Sequence, residues 1–309
     1  MTSRLGRTSK IDRTVSRRHF LATAAATVAM PAIRASAIEP LKRRQPSHLK
    51  LSLAAYSYKP YLEGDEPSMD LFGFVDEAAD VALDAVELTS YYFPAEITPD
   101  YLHRLKQHAF VQGLDVSGTA VMNDFCLPPG PEADREVAHV RTWIDHAAEL
   151  DAPVVRILSG NWIQGTSDKE LAKRVIDRIE SLLPHAEKRG VILALENHGG
   201  GVTTTAHELL KIVRAVRGPS FGVNLDTGNF HGDDPYEEIA QTVPFAVNVQ
   251  VKTEIRRAGK SKEPADLAKV IRLLREARYS GYVVVEYNAA DDPRTAVPRI
   301  VKSLQSLVA

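Results

Sequence analysis

The feature that most constrains this chain is an alternation: eight short apolar runs, each followed by a longer stretch with helical periodicity. The runs fall at 49–58, 85–90, 114–121, 153–160, 191–198, 221–229, 246–254 and 281–288, and the helical stretches at 69–81, 99–112, 131–150, 167–189, 205–216, 235–243, 264–278 and 293–308. Strands that alternate with helices pair in parallel, because a parallel neighbour is reached only through a crossover connection. Asp234-Pro235, Glu263-Pro264 and Asp292-Pro293 place a proline at a first helical position behind an acid, and Gly113, Gly190 and Gly218 stand where helices close. Eight such units with no repeat of another period predict an α/β fold of one domain, a (β/α)8 TIM barrel, in preference to an open doubly wound sheet.

The barrel does not begin at the first residue. Ser16-Arg17-Arg18-His19-Phe20-Leu21 reads as a twin-arginine export motif, followed by an alanine-rich, weakly apolar stretch at 21–32 and the small-residue site Ala35-Ser36-Ala37. Residues 1–37 are therefore expected to be a signal peptide, 38–48 a basic, proline-flanked solvated linker, and 49–309 the barrel. The leader carries seven of the 38 Lys and Arg and one of the 40 Asp and Glu, so the mature chain has a net charge near −8. That balance argues against nucleic acid as a partner. Cys126 is the single cysteine, which excludes an intrachain disulfide and a thiolate metal cluster. No run after Ala37 is long and apolar enough for a bilayer span, so no membrane contact is expected after cleavage. No glycine-rich phosphate loop follows the first strand, and no nucleotide cofactor is expected.

The fifth to eighth runs carry the chemistry. Period-two alternation sends Leu193, Leu195, Val223, Leu225, Val247, Val249, Val283 and Val285 to one face, and Ala194, Asn224, Asn248 and Val284 to the other, ending in Glu196, Asp226, Gln250 and Glu286. Four neighbouring strands with an oxygen-bearing residue at each exit describe one side of a barrel mouth, where sites of this fold lie. Three acids there would repel one another unless a cation or a proton were shared. Oxygen donors without sulfur favour a hard divalent ion, Mn²⁺ or Mg²⁺, with Co²⁺ a further candidate. Glu87 and Arg156 have inward parity on the second and fourth strands, consistent with a buried pair or with substrate contact. His198 and His231 lie on the loops after the fifth and sixth strands. Tyr56, Tyr58, Trp162 and Tyr287 stand near strand exits, where aromatic rings stack on sugars or simply pack.

Leu195-Glu196-Asn197-His198, Asn224-Leu225-Asp226-Thr227-Gly228-Asn229, Val249-Gln250-Val251-Lys252 and Val285-Glu286-Tyr287 together resemble the signature of the sugar phosphate isomerase/epimerase family. These are the xylose isomerase-like TIM barrels, which include the ketose 3-epimerases. The resemblance implies a metal held by Glu196, Asp226, Gln250 and Glu286, with Glu196 and Glu286 as the acid/base pair. It departs at Gln250, where the epimerases carry histidine. Arg256, six residues on, matches a substrate-contacting arginine, and His198 becomes a proton relay or substrate partner. Lys252, read as facing away from Gln250, reaches the mouth only if the strand has already ended.

The resemblance and the strand-end residues together lead to the expectation of an exported, metal-dependent sugar isomerase or epimerase working through a metal-stabilised enediolate. Export favours an unphosphorylated sugar or glycoside as substrate. Three alternatives stand beside it. A keto-glycoside lyase or hydrolase would use the same enediolate, and an exported sugar-binding protein would have lost catalysis. An abasic-site endonuclease shares the barrel but needs three zinc ions and many histidines, which this chain does not supply. Relatives are often dimers, and no residue pattern here decides for or against a homodimer.

Overall fold

The computed structural model describes residues 38–309; the export motif and the cleavage site lie outside the described residues. Eight parallel strands close into a barrel: β1 Leu49–Ala54, β2 Ala85–Thr89, β3 Asp115–Ala120, β4 Val154–Ile157, β5 Ile192–Glu196, β6 Phe221–Asp226, β7 Ala246–Val251 and β8 Gly281–Val285. Each pairs with its sequence neighbours, and β1 pairs with β8 in the register Leu49↔Gly281 to close the ring. The eight-fold alternation thus yields the expected fold. The helices that follow the strands in turn are α1 Leu71–Asp80, α2 Pro99–Val111, α3 Pro131–Glu149, α4 Asp168–Arg189, α5 Ala206–Val213, α6 Pro235–Thr242, α7 Leu267–Glu276 and α8 Pro293–Val308.

Local chemistry fixes these boundaries. Thr205 and Glu208 form a reciprocal capping box at the start of α5, and Ser167 accepts from the Glu170 N–H at the start of α4. Asp234 and Asp292 cap α6 and α8 ahead of prolines, as their sequence predicts. Gly190 closes α4 at φ 72°, a left-handed conformation that glycine adopts without strain. The Glu263-Pro264 reading is overturned. Pro264 lies in a strand, Lys262–Pro264, that pairs antiparallel with Glu254–Arg256, and α7 starts only at Leu267 behind an Asp266 cap. The loop between β7 and α7 thus folds as a hairpin, a use of the chain that helical periodicity does not announce.

The outward residues of the barrel, among them Leu51, Leu53, Val86, Leu88, Leu193, Leu195, Val283 and Val285, join the helices in one apolar layer. The interior is different. Ser52, Glu87, Ser117, Asn224 and Asn248 are buried there without that layer's company. Two register shifts adjust the inner faces, between Val86 and Glu87 and between Val223 and Asn224. Because of the second, Val247 has no partner in β6, and it packs against Gly222, where a Cβ would lie 2.5 Å from Val247 Cγ1.

The segment before β1 is mostly exposed, yet it is tethered. The Leu41 N–H donates to the Pro244 carbonyl (2.8 Å), Arg43 Nη2 to the Ala246 carbonyl (2.6 Å), and the Ser47 hydroxyl to the Tyr279 carbonyl. These acceptors sit at the amino ends of β7 and β8.

Candidate active site

The carboxyl mouth of the barrel holds a cavity of about 170 Å³ whose wall includes Tyr56, Tyr91, Arg156, Glu196, His198, Asn229, Lys252 and Glu286. The acids on that wall come from the last position of β5 and the residue following β8, the positions that alternation assigns to the mouth. Asp226, at the end of β6, is fully buried behind the wall.

Every charged group here has a partner. Arg156 Nε lies 2.9 Å from Glu196 Oε2, a charge contact rather than an aligned hydrogen bond, while its other nitrogens donate to the Val121 carbonyl (2.8 Å) and the Tyr91 hydroxyl (3.1 Å). Glu196 Oε1 accepts from Asn229 Nδ2 at 2.8 Å. Lys252 Nζ contacts Asp226 Oδ2 at 2.6 Å, Asn229 Oδ1 at 2.9 Å and Glu286 Oε1 at 3.1 Å. Both Asp226 oxygens are engaged: Oδ1 takes the Gly228 N–H (2.8 Å), and Oδ2 takes Asn229 Nδ2 (2.9 Å) as well as the lysine.

The expectation that Lys252 faces away is therefore wrong. Residues 250 and 252 differ by two, so they share a face, and β7 ends only at Val251, directly before the lysine. Gly228 makes room for it, since a Cβ there would lie 2.8 Å from both Cβ and Cδ of the lysine. Asn229, which in the sequence stands out only as the end of a motif, proves to be the residue that bridges Glu196, Asp226 and Lys252.

Beneath the mouth lies a closed polar ring. Gln250 Nε2 donates to Glu87 Oε1 (2.6 Å) and Gln250 Oε1 accepts from Asn224 Nδ2 (2.6 Å); Asn248 Nδ2 donates to both Asn224 Oδ1 (2.8 Å) and Glu87 Oε2 (2.8 Å). Glu87 and Arg156 point inward as expected but do not pair with each other directly: Glu87 belongs to the ring, and Arg156 to Glu196. Burial, with Glu286 nearby, pushes the Glu87 carboxyl up to about 7.

The remaining sites separate. His198 lines the cavity, and its Nδ1 accepts from the Gly200 N–H (3.3 Å), which leaves the proton of the neutral ring on Nε2. Burial and the nearby cations Arg156 and Lys252 lower its pKa. His231 packs over Gly199, and Arg256 is exposed on the hairpin beside it; neither lines the cavity. Trp162 is exposed and bonded to Asp168, and Tyr58 is buried against Phe74. Tyr56 lines the cavity and, with Tyr287, an adjoining groove of about 550 Å³.

Electrostatics tie the mouth together. Burial raises the Glu196 carboxyl, opposed by Arg156. Burial works to lower the Lys252 ammonium, but Asp226, Glu286 and Glu196 outweigh it and hold it above the ordinary lysine range.

These residues as they stand do not fit the divalent ion expected from the resemblance. The Gln250 oxygen is committed to Asn224, both Asp226 oxygens are occupied, and an ammonium stands between Asp226 and Glu286. Among the described residues, no group of three or more His, Cys, Asp or Glu side chains could hold a metal ion.

Comparison with known proteins supplies the family. A family model described as "Xylose isomerase-like TIM barrel" matches residues 75–307. A search of curated proteins found no match. Among solved structures, an L-ribulose 3-epimerase superposes with a TM-score of 0.69 at 17% identity, covering 84% of this chain and 94% of that one. A D-psicose 3-epimerase in the presence of D-fructose gives 0.66 at 18%, covering 82% and 89%. A 3-keto-D-glucoside 4-epimerase from E. coli gives 0.62 at 14%, covering 84% and 99%. At such identities these likenesses establish the fold alone.

Proposed function

The chain belongs to the xylose isomerase-like TIM barrel family, and from that premise we propose that it is a sugar isomerase or epimerase that moves a proton at the carbon beside a carbonyl. The observation that carries this reading is the pair Glu196 and Glu286, two carboxylates on one cavity wall with Arg156 and Lys252 beside them. When the C–H bond breaks, its electron pair passes to the carbonyl oxygen and one carboxylate takes the proton. The other, in its acid form, delivers a proton to the opposite face, which gives epimerisation, or to the former carbonyl carbon while the adjacent hydroxyl gives its proton to the former carbonyl oxygen, which gives isomerisation. The buried guanidinium and ammonium groups stabilise the oxyanion as it forms. Burial raises the Glu196 carboxyl, which makes it a stronger base than a solvated glutamate.

The test is solvent exchange. Wild-type protein incubated in heavy water with unphosphorylated ketoses and 3-keto-glycosides is expected to place deuterium at the carbon beside the carbonyl, read by mass spectrometry. Absence of exchange across that panel refutes the reading. The cavity is small against the ~300–1,000 Å³ of drug-sized ligand sites, so one sugar ring suits it. The adjoining groove, which shares Tyr56 and Asn288 with the cavity, favours a second reading in which the substrate is a keto-glycoside and the enediolate expels its aglycone. Release of free aglycone distinguishes that outcome.

Export through the twin-arginine pathway is part of the proposal and rests on Ser16-Arg17-Arg18-His19-Phe20-Leu21 and Ala35-Ser36-Ala37. Recovery of the protein in the periplasmic fraction, and its loss from that fraction on Arg17→Lys/Arg18→Lys, checks it.

A further inference from the structure

We infer that the cation of this site is built into the chain: the Lys252 ammonium stands among the strand-end oxygens in place of a divalent ion, and proton transfer proceeds without bound metal. The catalytic half of this inference rests on the reading proposed above; the metal-free half rests on geometry alone.

Three observations converge. Lys252 is almost wholly buried, with its ammonium within 3.1 Å of oxygens from Asp226, Asn229 and Glu286. Gln250, which stands where histidine would bind a metal, is turned down into the ring, with its amide shared between Glu87 and Asn224. Gly228 clears the path of the lysine stem, which a side chain at that position would obstruct. Placing a divalent ion among these oxygens means stripping a buried ammonium of its acceptors, or holding two cations within a few ångströms of each other.

The ammonium has three protons and three acceptors in the free site. Asp226 and Asn229 hold it at 2.6 and 2.9 Å, and Glu286 at 3.1 Å. The Glu286 contact is the longest, so its proton is the one released to a substrate oxygen. In the reaction the C–H bond breaks, its proton goes to one glutamate, and its electron pair goes to the carbonyl oxygen, which accepts the hydrogen bond from Lys252. The second glutamate returns a proton to carbon as the carbonyl reforms. No electrons enter or leave the sugar, and no co-reactant is needed.

Two readouts test this. Chelator-treated wild type is dialysed against excess MnCl2 or CoCl2 and its bound metal counted by mass spectrometry; Lys252→Met and Lys252→Arg are measured alongside. Wild type and Lys252→Arg are expected to take up no stoichiometric metal. Lys252→Met, which uncovers the Asp226 and Glu286 carboxylates and the Asn229 amide oxygen, is expected to bind one ion at least about 100-fold more tightly than wild type. Stoichiometric uptake by wild type overturns the inference whether or not the methionine variant folds. A folded Lys252→Met chain that binds no better than wild type overturns it as well.

The second readout is solvent exchange in EDTA, expected to equal that with added Mn²⁺. Exchange that depends on Mn²⁺ overturns the inference. Absence of exchange under both conditions, with no metal uptake, overturns the catalytic half and the proposed function while upholding the metal-free half.

Discussion

The ring beneath the mouth permits a test by exchange of two residues. Its four contacts each need one donor and one acceptor, so the four side chains must supply four donor ends between them. Above about pH 7, where Glu87 is a carboxylate, Asn248 supplies two, Asn224 and Gln250 one each, and Glu87 none. Glu87→Gln raises the total to five, or lowers it to three if the Asn248 amide turns over. No combination of amide flips restores four, so one contact fails at a cost of about 1–3 kcal/mol, partly offset by removal of a buried charge. Gln250→Glu alone leaves three donor ends and sets two carboxylates against each other across a contact of 2.6 Å, which costs about 3–5 kcal/mol or forces uptake of a proton.

The double substitution Glu87→Gln/Gln250→Glu restores four donor ends and a single carboxylate. It is expected to be more stable than the sum of the single effects by about 2–4 kcal/mol. Urea denaturation of all four proteins, with slopes checked for equality, measures this coupling; at about 2–4 °C per kcal/mol it also appears in melting temperature. Single effects that add to within about 0.5 kcal/mol would refute the ring as a unit, and with it the account of why Gln250 faces down.

The geometry sets three further outcomes. Glu196→Gln and Glu286→Gln are each expected to lower solvent exchange by at least about 100-fold while leaving the fold intact by circular dichroism; near-normal exchange in either removes that residue from the acid/base pair. Arg156→Leu leaves a buried Glu196 carboxylate without its cation and is expected to cost about 3–5 kcal/mol in denaturation experiments, an effect that Glu196→Gln in the same chain partly relieves. His198 has a folded pKa below its ordinary 6.5, so the unfolded chain binds its proton first. Its contribution is present above 6.5 and lost as the pH falls below that value toward the folded pKa. His198→Gln is thus expected to show a shallower fall in stability with acidification than wild type.

How far the sequence could be read depends on the range of the forces involved. Strand faces obey a local period, so Ala194, Asn224 and Asn248 inside and Leu193, Leu195 and Val249 outside were legible directly. The prolines of α6 and α8 were legible because Asp234 and Asp292 cap within a single turn. The direction of the Gln250 amide was not, because it is set by Glu87, 163 residues away, across the barrel interior. The placement of Lys252 was within reach, since its parity matches that of Gln250; its three acceptors were not, since they come from β6, the loop after it and the residue beyond β8. Arg256 matched a spacing but stands on a hairpin whose antiparallel pairing, Ile255↔Glu263, turns that stretch away from the cavity. The start of the following helix moves from Pro264 to Leu267 for the same reason.

The strap from Leu41 to His48 has a practical consequence. Its hydrogen bonds reach Pro244, Ala246, Tyr279 and Ser280, which precede or begin β7 and β8, while the cavity opens past the last residues of the strands. A reporter or an immobilising handle joined just ahead of the strap would therefore emerge on the floor of the barrel. Ligand could still enter from the other end, and the protein could be tethered to a surface through its leading end without covering the opening.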